Sequence, residues 1–185
     1  MGKRAPELQP SGGAGWGIQT GFLLPARQTL NGVKAAARSI RQVAAQVPMP
    51  FAVETGVNYL HPRAEELPDG AFVAGVAMAA DCGILLDLHN VWTNERNGRQ
   101  AVDDFVAQIP LERVWEVHLA GGSELEGYWL GSHSGGIPDE LHALAARVIP
   151  QLPNLRALIF EIQLGRGRVP RVVGRILAIV AAGAL

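Results

Sequence analysis

The chain has 185 residues, 48% of them hydrophobic, which supports one sizeable core and sets a single domain as the expectation. A formal charge of −1 and the lack of a long basic run exclude the electrostatic footprint of a nucleic-acid binder, so the clusters GKR and GRGRVPR read as solvated termini and helix starts. One cysteine, Cys82, excludes an internal disulfide framework and leaves a zinc site without a CxxC pair, which fits a reducing, cytoplasmic setting.

Residues 1–28 are rich in Gly, Pro and Gln without a lasting period, and read as a flexible lead-in or the remnant of something longer. They contain no apolar h-region of a secretory signal, and Pro6 stands where a myristoylation motif needs Ser or Thr. From Leu30 the pattern becomes regular. Val33, Ala37, Ile40 and Val43 fall at helical spacing opposite Lys and Arg within residues 31–47, and PMP ends that helix. A strand, FAVE, follows at once. The alternation then recurs: helix over 69–83, strand ILLDL, helix over 101–110, strand VWEVHL, helix over 139–149, strand ALIFEI, and a last helix around VVGRILAIVAA. The terminal run RILAIVAAGAL is too short to cross a bilayer and reads as a core-facing helix.

The strands are short apolar runs rather than in-out alternators, as expected where helices cover a parallel sheet. The fold class is therefore α/β with right-handed crossovers, and four units are visible. A closed (β/α)₈ barrel typically takes about 250 residues. Residues 29–185 thus predict a partial TIM-barrel-like, metal-binding domain containing the C-terminal βα units, or an open α/β sheet of few strands.

Each strand ends in a residue that can bind a metal or move a proton: Glu54, Asp87, His118 and Glu161. C-terminal strand ends of parallel folds share one rim, so these side chains should converge. For any one of them, a strand end is simply where polar groups become tolerable. Four strands ending only in Glu, Asp and His favour a site, because such clusters are costly to assemble without a counter-ion. Asn90 lies three residues past Asp87, with His89 between them, and His133 sits in the glycine-flanked loop LGSHSGG before the helix start PDE. This sulfur-free set of oxygen and nitrogen ligands suits Fe, Mn or Zn, and bridging carboxylates can hold two or three ions a few Å apart.

Other residues take plainer readings. His61 precedes Pro62 and belongs to an extended or turn position at the surface. His142 lies on a helix, exposed or partly packed, and Cys82 ends a helix as buried filler without a base to activate it. Trp92, Trp115 and Trp129 read as large core residues before pocket walls. GGAGWG follows no strand and lacks the acid that would bind a ribose.

The ordered set VETGVNYL, LLDLHNV, VHLAGG, SHSGGIPDEL and LIFEI resembles the multinuclear non-haem iron-dependent oxidative enzyme family, formerly a domain of unknown function, over roughly residues 20–165. The resemblance implies a xylose-isomerase-like TIM barrel with two or three irons at its C-terminal rim. It also implies an oxidative enzyme that modifies cysteine or other residues of ribosomally made precursor peptides, with a small partner protein that recognises the peptide leader. By this resemblance Glu54 matches the bridging glutamate, Asp87 and Asn90 the Asp-x-x-Asn ligands, His118 the histidine of His-x-Ala-Gly, Glu161 the late-strand glutamate, and His133 the histidine of Asp-x-His. The Asp of that last motif is replaced by Gly131, which removes one ligand, and no histidine precedes His61 to supply the two that early barrel strands bring to the family.

Three functions are to be weighed, the first with its substrate and oxidant implied by the resemblance. The first is an iron-dependent oxidative enzyme that modifies cysteine or other residues of a ribosomally made peptide, or an inactive, truncated form of one. The second is a divalent-metal sugar isomerase or hydrolase of the same fold, and the third a non-catalytic, degenerate half barrel. A half barrel leaves two unpaired sheet edges, so the chain would be a truncated product, a product whose start is assigned too late, or a piece that self-associates to rebuild the barrel.

Overall fold

The computed structural model describes residues 25–161; the final helix expected around 172–182, and most of the lead-in, lie outside them. Among the described residues there are five α-helices and six strands. The first helix, α1 (Leu30–Ala44), starts where the Thr29 hydroxyl accepts the Gly32 N–H at 3.1 Å. It stops three residues short of the expected end, because the backbone tightens into i→i+3 turns at Gln46 and Val47 ahead of Pro48.

Strand β1 (Ala52–Glu54) leads into α2 (Asp69–Ala80), which ends at Asp81 in the left-handed conformation, φ 52°. The chain then turns directly into β2 (Gly83–Asp87). Glycine is required at 83: a Cβ there would stand 2.2 Å from Cε3 of Trp115, whose indole lies across the strand start.

Helix α3 (Leu88–Arg96) occupies a stretch to which the sequence pattern assigned no helix; Asp87 both closes β2 and caps it by accepting the Asn90 N–H at 2.9 Å. Helix α4 (Val102–Gln108) and a short 3₁₀ turn at Leu111–Arg113 precede β3 (Val114–Ala120). A hairpin of β4 (Ser123–Leu125) and β5 (Tyr128–Leu130), not anticipated from the sequence, comes next, followed by α5 (Asp139–Val148), a 3₁₀ turn at Ile149–Gln151, and β6 (Ala157–Glu161).

Strands β1, β2, β3 and β6 form one parallel sheet in that spatial order, consistent with part of a TIM-like barrel. Register and two-residue alternation sort its side chains into two faces. Ile84, Leu86, Val117 and Leu119 are fully buried in the helix-covered core, with Val53, Leu158 and Phe160 packed at its margin. The opposite face follows from the pairs Glu54↔Leu85, Leu85↔Glu116, Asp87↔His118 and Ala120↔Glu161. Every chemically active strand residue therefore sits on the face away from the packed helices.

The segment after β1 is fixed by Arg99, whose guanidinium pairs with the Asp69 carboxylate, reaches Gln28 Oε1 at 2.8 Å, and donates to the Leu60 carbonyl. Arg99 and Asp69 are both nearly inaccessible to water, so the pair holds only through this set of hydrogen bonds. Among the described residues no helix is long and apolar enough to cross a membrane.

Candidate metal centre

The parallel register delivers Glu54, Asp87, His118 and Glu161 to one place, where one ligand atom from each lies within 4.8 Å of all the others. His118 is central. Its Nδ1 stands 3.6 Å from Glu161 Oε1 and 3.9 Å from Glu54 Oε1, while Nε2 lies 2.8 Å from Glu116 Oε1. Access is graded across the group: Asp87 is sealed, His118 nearly so, Glu161 about one-third exposed and Glu54 about half exposed.

The electrostatics of the group are those of a possible cation site. Burial pushes the Asp87 carboxyl up to about 6, and Glu54 adds repulsion, although the Asn90 N–H and the nearby His118 and His133 pull the other way. Asp87 Oδ2, His118 Nδ1 and Glu161 Oε2 are buried without a hydrogen-bond partner. Unsatisfied buried acceptors are costly, and three within one small cluster fit a bound ion that would complete them. His133 Nδ1 comes within 3.1 Å of Glu161 Oε2 without the alignment of a hydrogen bond.

Of the six residues singled out in the sequence, four form this group and two flank it. Asn90 keeps its side chain on the Thr55 carbonyl, at 3.1 Å. His133 stands on a left-handed backbone, φ 51°, beyond Glu161. Gly131 adjoins Asn90: a Cβ there would be 2.9 Å from Val57 Cγ2 and 3.3 Å from Asn90 Oδ1. The four-residue group does not include this position.

His89, adjacent in sequence, takes no part in the group. It is fully buried, its Nε2 accepts the Trp129 indole N–H at 3.2 Å, and burial, reinforced by His133, lowers its pKa to about 4. Trp129 and Trp92 meet edge to face at 5.1 Å with the Arg96 guanidinium over both rings, which ties the β4–β5 hairpin to α3. Trp115 packs instead at the start of β2, under Arg156. Cys82 is buried and its thiol is raised by that burial, and His61 is exposed.

Glu116 was missed by reading strand ends alone. The two-residue period of β3 would have found it, since it shares a face with His118. A cavity of about 290 Å³, lined in part by Glu54, Thr55, Asn58, Val91 and Phe105, opens beside Glu54.

Comparison with known proteins adds to this geometry. The family described as RiPP precursor modification enzyme MbnB/TglH/ChrH matches residues 14–171. A UPF0276 protein of Anaeromyxobacter sp. (strain Fw109-5) is 32% identical over 148 residues, covering 78% of this chain and 52% of the relative. A UPF0276 protein of Neisseria meningitidis serogroup B is 31% identical over 141 residues, covering 75% and 50%. One of Streptomyces avermitilis is 30% identical over 137 residues, covering 72% and 28%. The chain thus spans about half the length, or less, of these curated relatives.

Proposed function

Because the chain belongs to the RiPP precursor modification enzyme family MbnB/TglH/ChrH, we propose that it takes part in the iron-dependent oxidative modification of cysteine or another residue of a ribosomally made precursor peptide. Glu54, Asp87, His118 and Glu161 hold the principal iron in this reading, and Asn90 with His133 contributes to a second ion on the flank thinned by Gly131. A small leader-recognising protein presents the peptide, and a reducing cytoplasm keeps its thiols available.

The observation that carries the reading is the convergence of three carboxylates and one imidazole on a single point, with buried atoms there lacking partners. Iron, when bound, supplies Lewis acidity and one-electron chemistry with oxygen. The chain's own residues do the rest. Burial raises the Asp87 carboxyl to about 6, and a cation beside it would offset that burial and favour the ionised form that can act as a ligand. The sealed Asp87 and nearly sealed His118 keep water from one side, whereas Glu54 and Glu161, about half and one-third exposed, leave the side from which a peptide can approach.

Elemental analysis of anaerobically purified protein, read together with its mass in solution, tests this directly. Iron is expected in the wild type, and Glu54→Ala is expected to lose it. Unchanged iron in that variant would sink the assignment. Manganese or zinc without oxygen consumption would point to the isomerase or hydrolase reading, and a metal-free wild type to the degenerate half barrel.

A further inference from the structure

Glu116 stands on the same face of β3 as His118, two residues before it, and their side chains meet at 2.8 Å between Glu116 Oε1 and His118 Nε2. The other ring nitrogen has no hydrogen-bond partner and is buried, with Glu161 and Glu54 oxygens at 3.6 and 3.9 Å, beyond hydrogen-bond reach. The two ring nitrogens are thus inequivalent. One is engaged by a carboxylate outside the four-residue group, and the other faces into that group.

We propose that Glu116 is a positioning residue for the metal centre: by accepting the Nε2–H it fixes the tautomer and plane of His118, so that Nδ1 presents its lone pair to the ion shared with Glu54, Asp87 and Glu161. A carboxylate on the remote N–H of a ligating imidazole orients the ring and makes it a better donor, and loss of such a partner typically weakens metal affinity about 10- to 100-fold. The inference rests on the metal centre proposed above. Glu116 is itself part-buried, which strengthens its charge-assisted bond to the ring relative to one made in open water.

Zinc(II) titration and ¹⁵N-histidine NMR of the full chain test the assignment, with zinc as a redox-silent probe. The wild type is expected to bind zinc through His118 Nδ1 while Nε2 keeps its proton. Glu116→Ala is expected to bind zinc 10- to 100-fold more weakly. Glu116→Gln, whose amide oxygen still accepts the proton, is expected to retain Nδ1 ligation and recover most of the affinity. Ligation through Nε2 in the wild type, or wild-type affinity in Glu116→Ala, overturns the proposal. If the wild type binds no zinc, the metal centre fails, and the positioning role is then read in the metal-free protein at a pH where the ring is neutral. There an Nε2–H tautomer in the wild type that is lost in Glu116→Ala supports it, and an Nδ1–H tautomer in the wild type refutes it.

Discussion

At the scale of single residues, the two best-buried titratable groups near the rim pull stability in opposite directions with pH. His89 has a folded pKa of about 4 against an ordinary value of 6.5, so between those values the unfolded chain binds more protons than the folded one. Its contribution is fully present above pH 6.5 and is lost as pH falls toward 4, by roughly 3 kcal/mol at most. Asp87 behaves oppositely in the metal-free protein: with its carboxyl raised to about 6 from 3.8, stability declines as pH rises through that window. Comparison with a variant separates the two. In urea unfolding of metal-free protein at pH 7 and pH 4.5, His89→Gln is expected to lose less stability on acidification than the wild type; equal losses would show that burial does not depress the His89 pKa. The Trp129 indole N–H held by His89 Nε2 gives the same picture structurally, since a protonated ring has no lone pair to accept it.

At the scale of elements, the sequence made the parallel strands legible because each is a compact apolar run bounded by turn residues, and it made their terminal acids and imidazole legible because polar groups there break the run. Helix α3 was hidden for a specific reason. Asp87 serves at once as last strand residue and helix cap, so no loop separates β2 from α3 and the usual punctuation is missing. The β4–β5 hairpin was hidden because its tight turn places both Glu126 and Gly127 at positive φ, 51° and 84°; Glu is an unusual first residue for such a turn, where Asn or Asp is the recognisable signal. What anchors this hairpin is also non-local. Asn97 of the α3 C-cap donates to the Trp129 carbonyl at 2.9 Å and accepts its N–H at 2.8 Å, imitating a strand partner. Asn97→Ala removes both bonds, a local loss of roughly 1–3 kcal/mol. Amide exchange at Trp129 and Leu125 should accelerate while the β2 and β3 amides keep their protection. Slowed or unchanged exchange in the hairpin would mean that the Trp92–Arg96–Trp129 stack alone holds it.

At the scale of the whole molecule, the sheet that builds the site is also the least finished part of the fold. Among the described residues β1 pairs only with β2 and β6 only with β3, so each outer strand presents a free edge. The face carrying the acidic cluster also carries Ile159, 41% exposed and in register with His118, an apolar side chain that a closed barrel would bury. Four parallel strands are half the number that closes such a barrel, and free edges beside an open apolar position favour pairing with another sheet. A second copy provides four more strands and would cover Ile159 and shield the ligand cluster from bulk water together. Sedimentation of the wild type is therefore expected to show a concentration-dependent dimer. Ile159→Lys places a charge in the covered face and is expected to shift the protein toward monomer at the same concentration, without changing the helix-packed core on the opposite side. A wild type that stays monomeric at high concentration would refute self-pairing of the sheet. If dimer and metal content fall together in the variant, the second sheet completes the environment of the centre; if metal is retained by the monomer, the four strand-end residues and their immediate supports suffice.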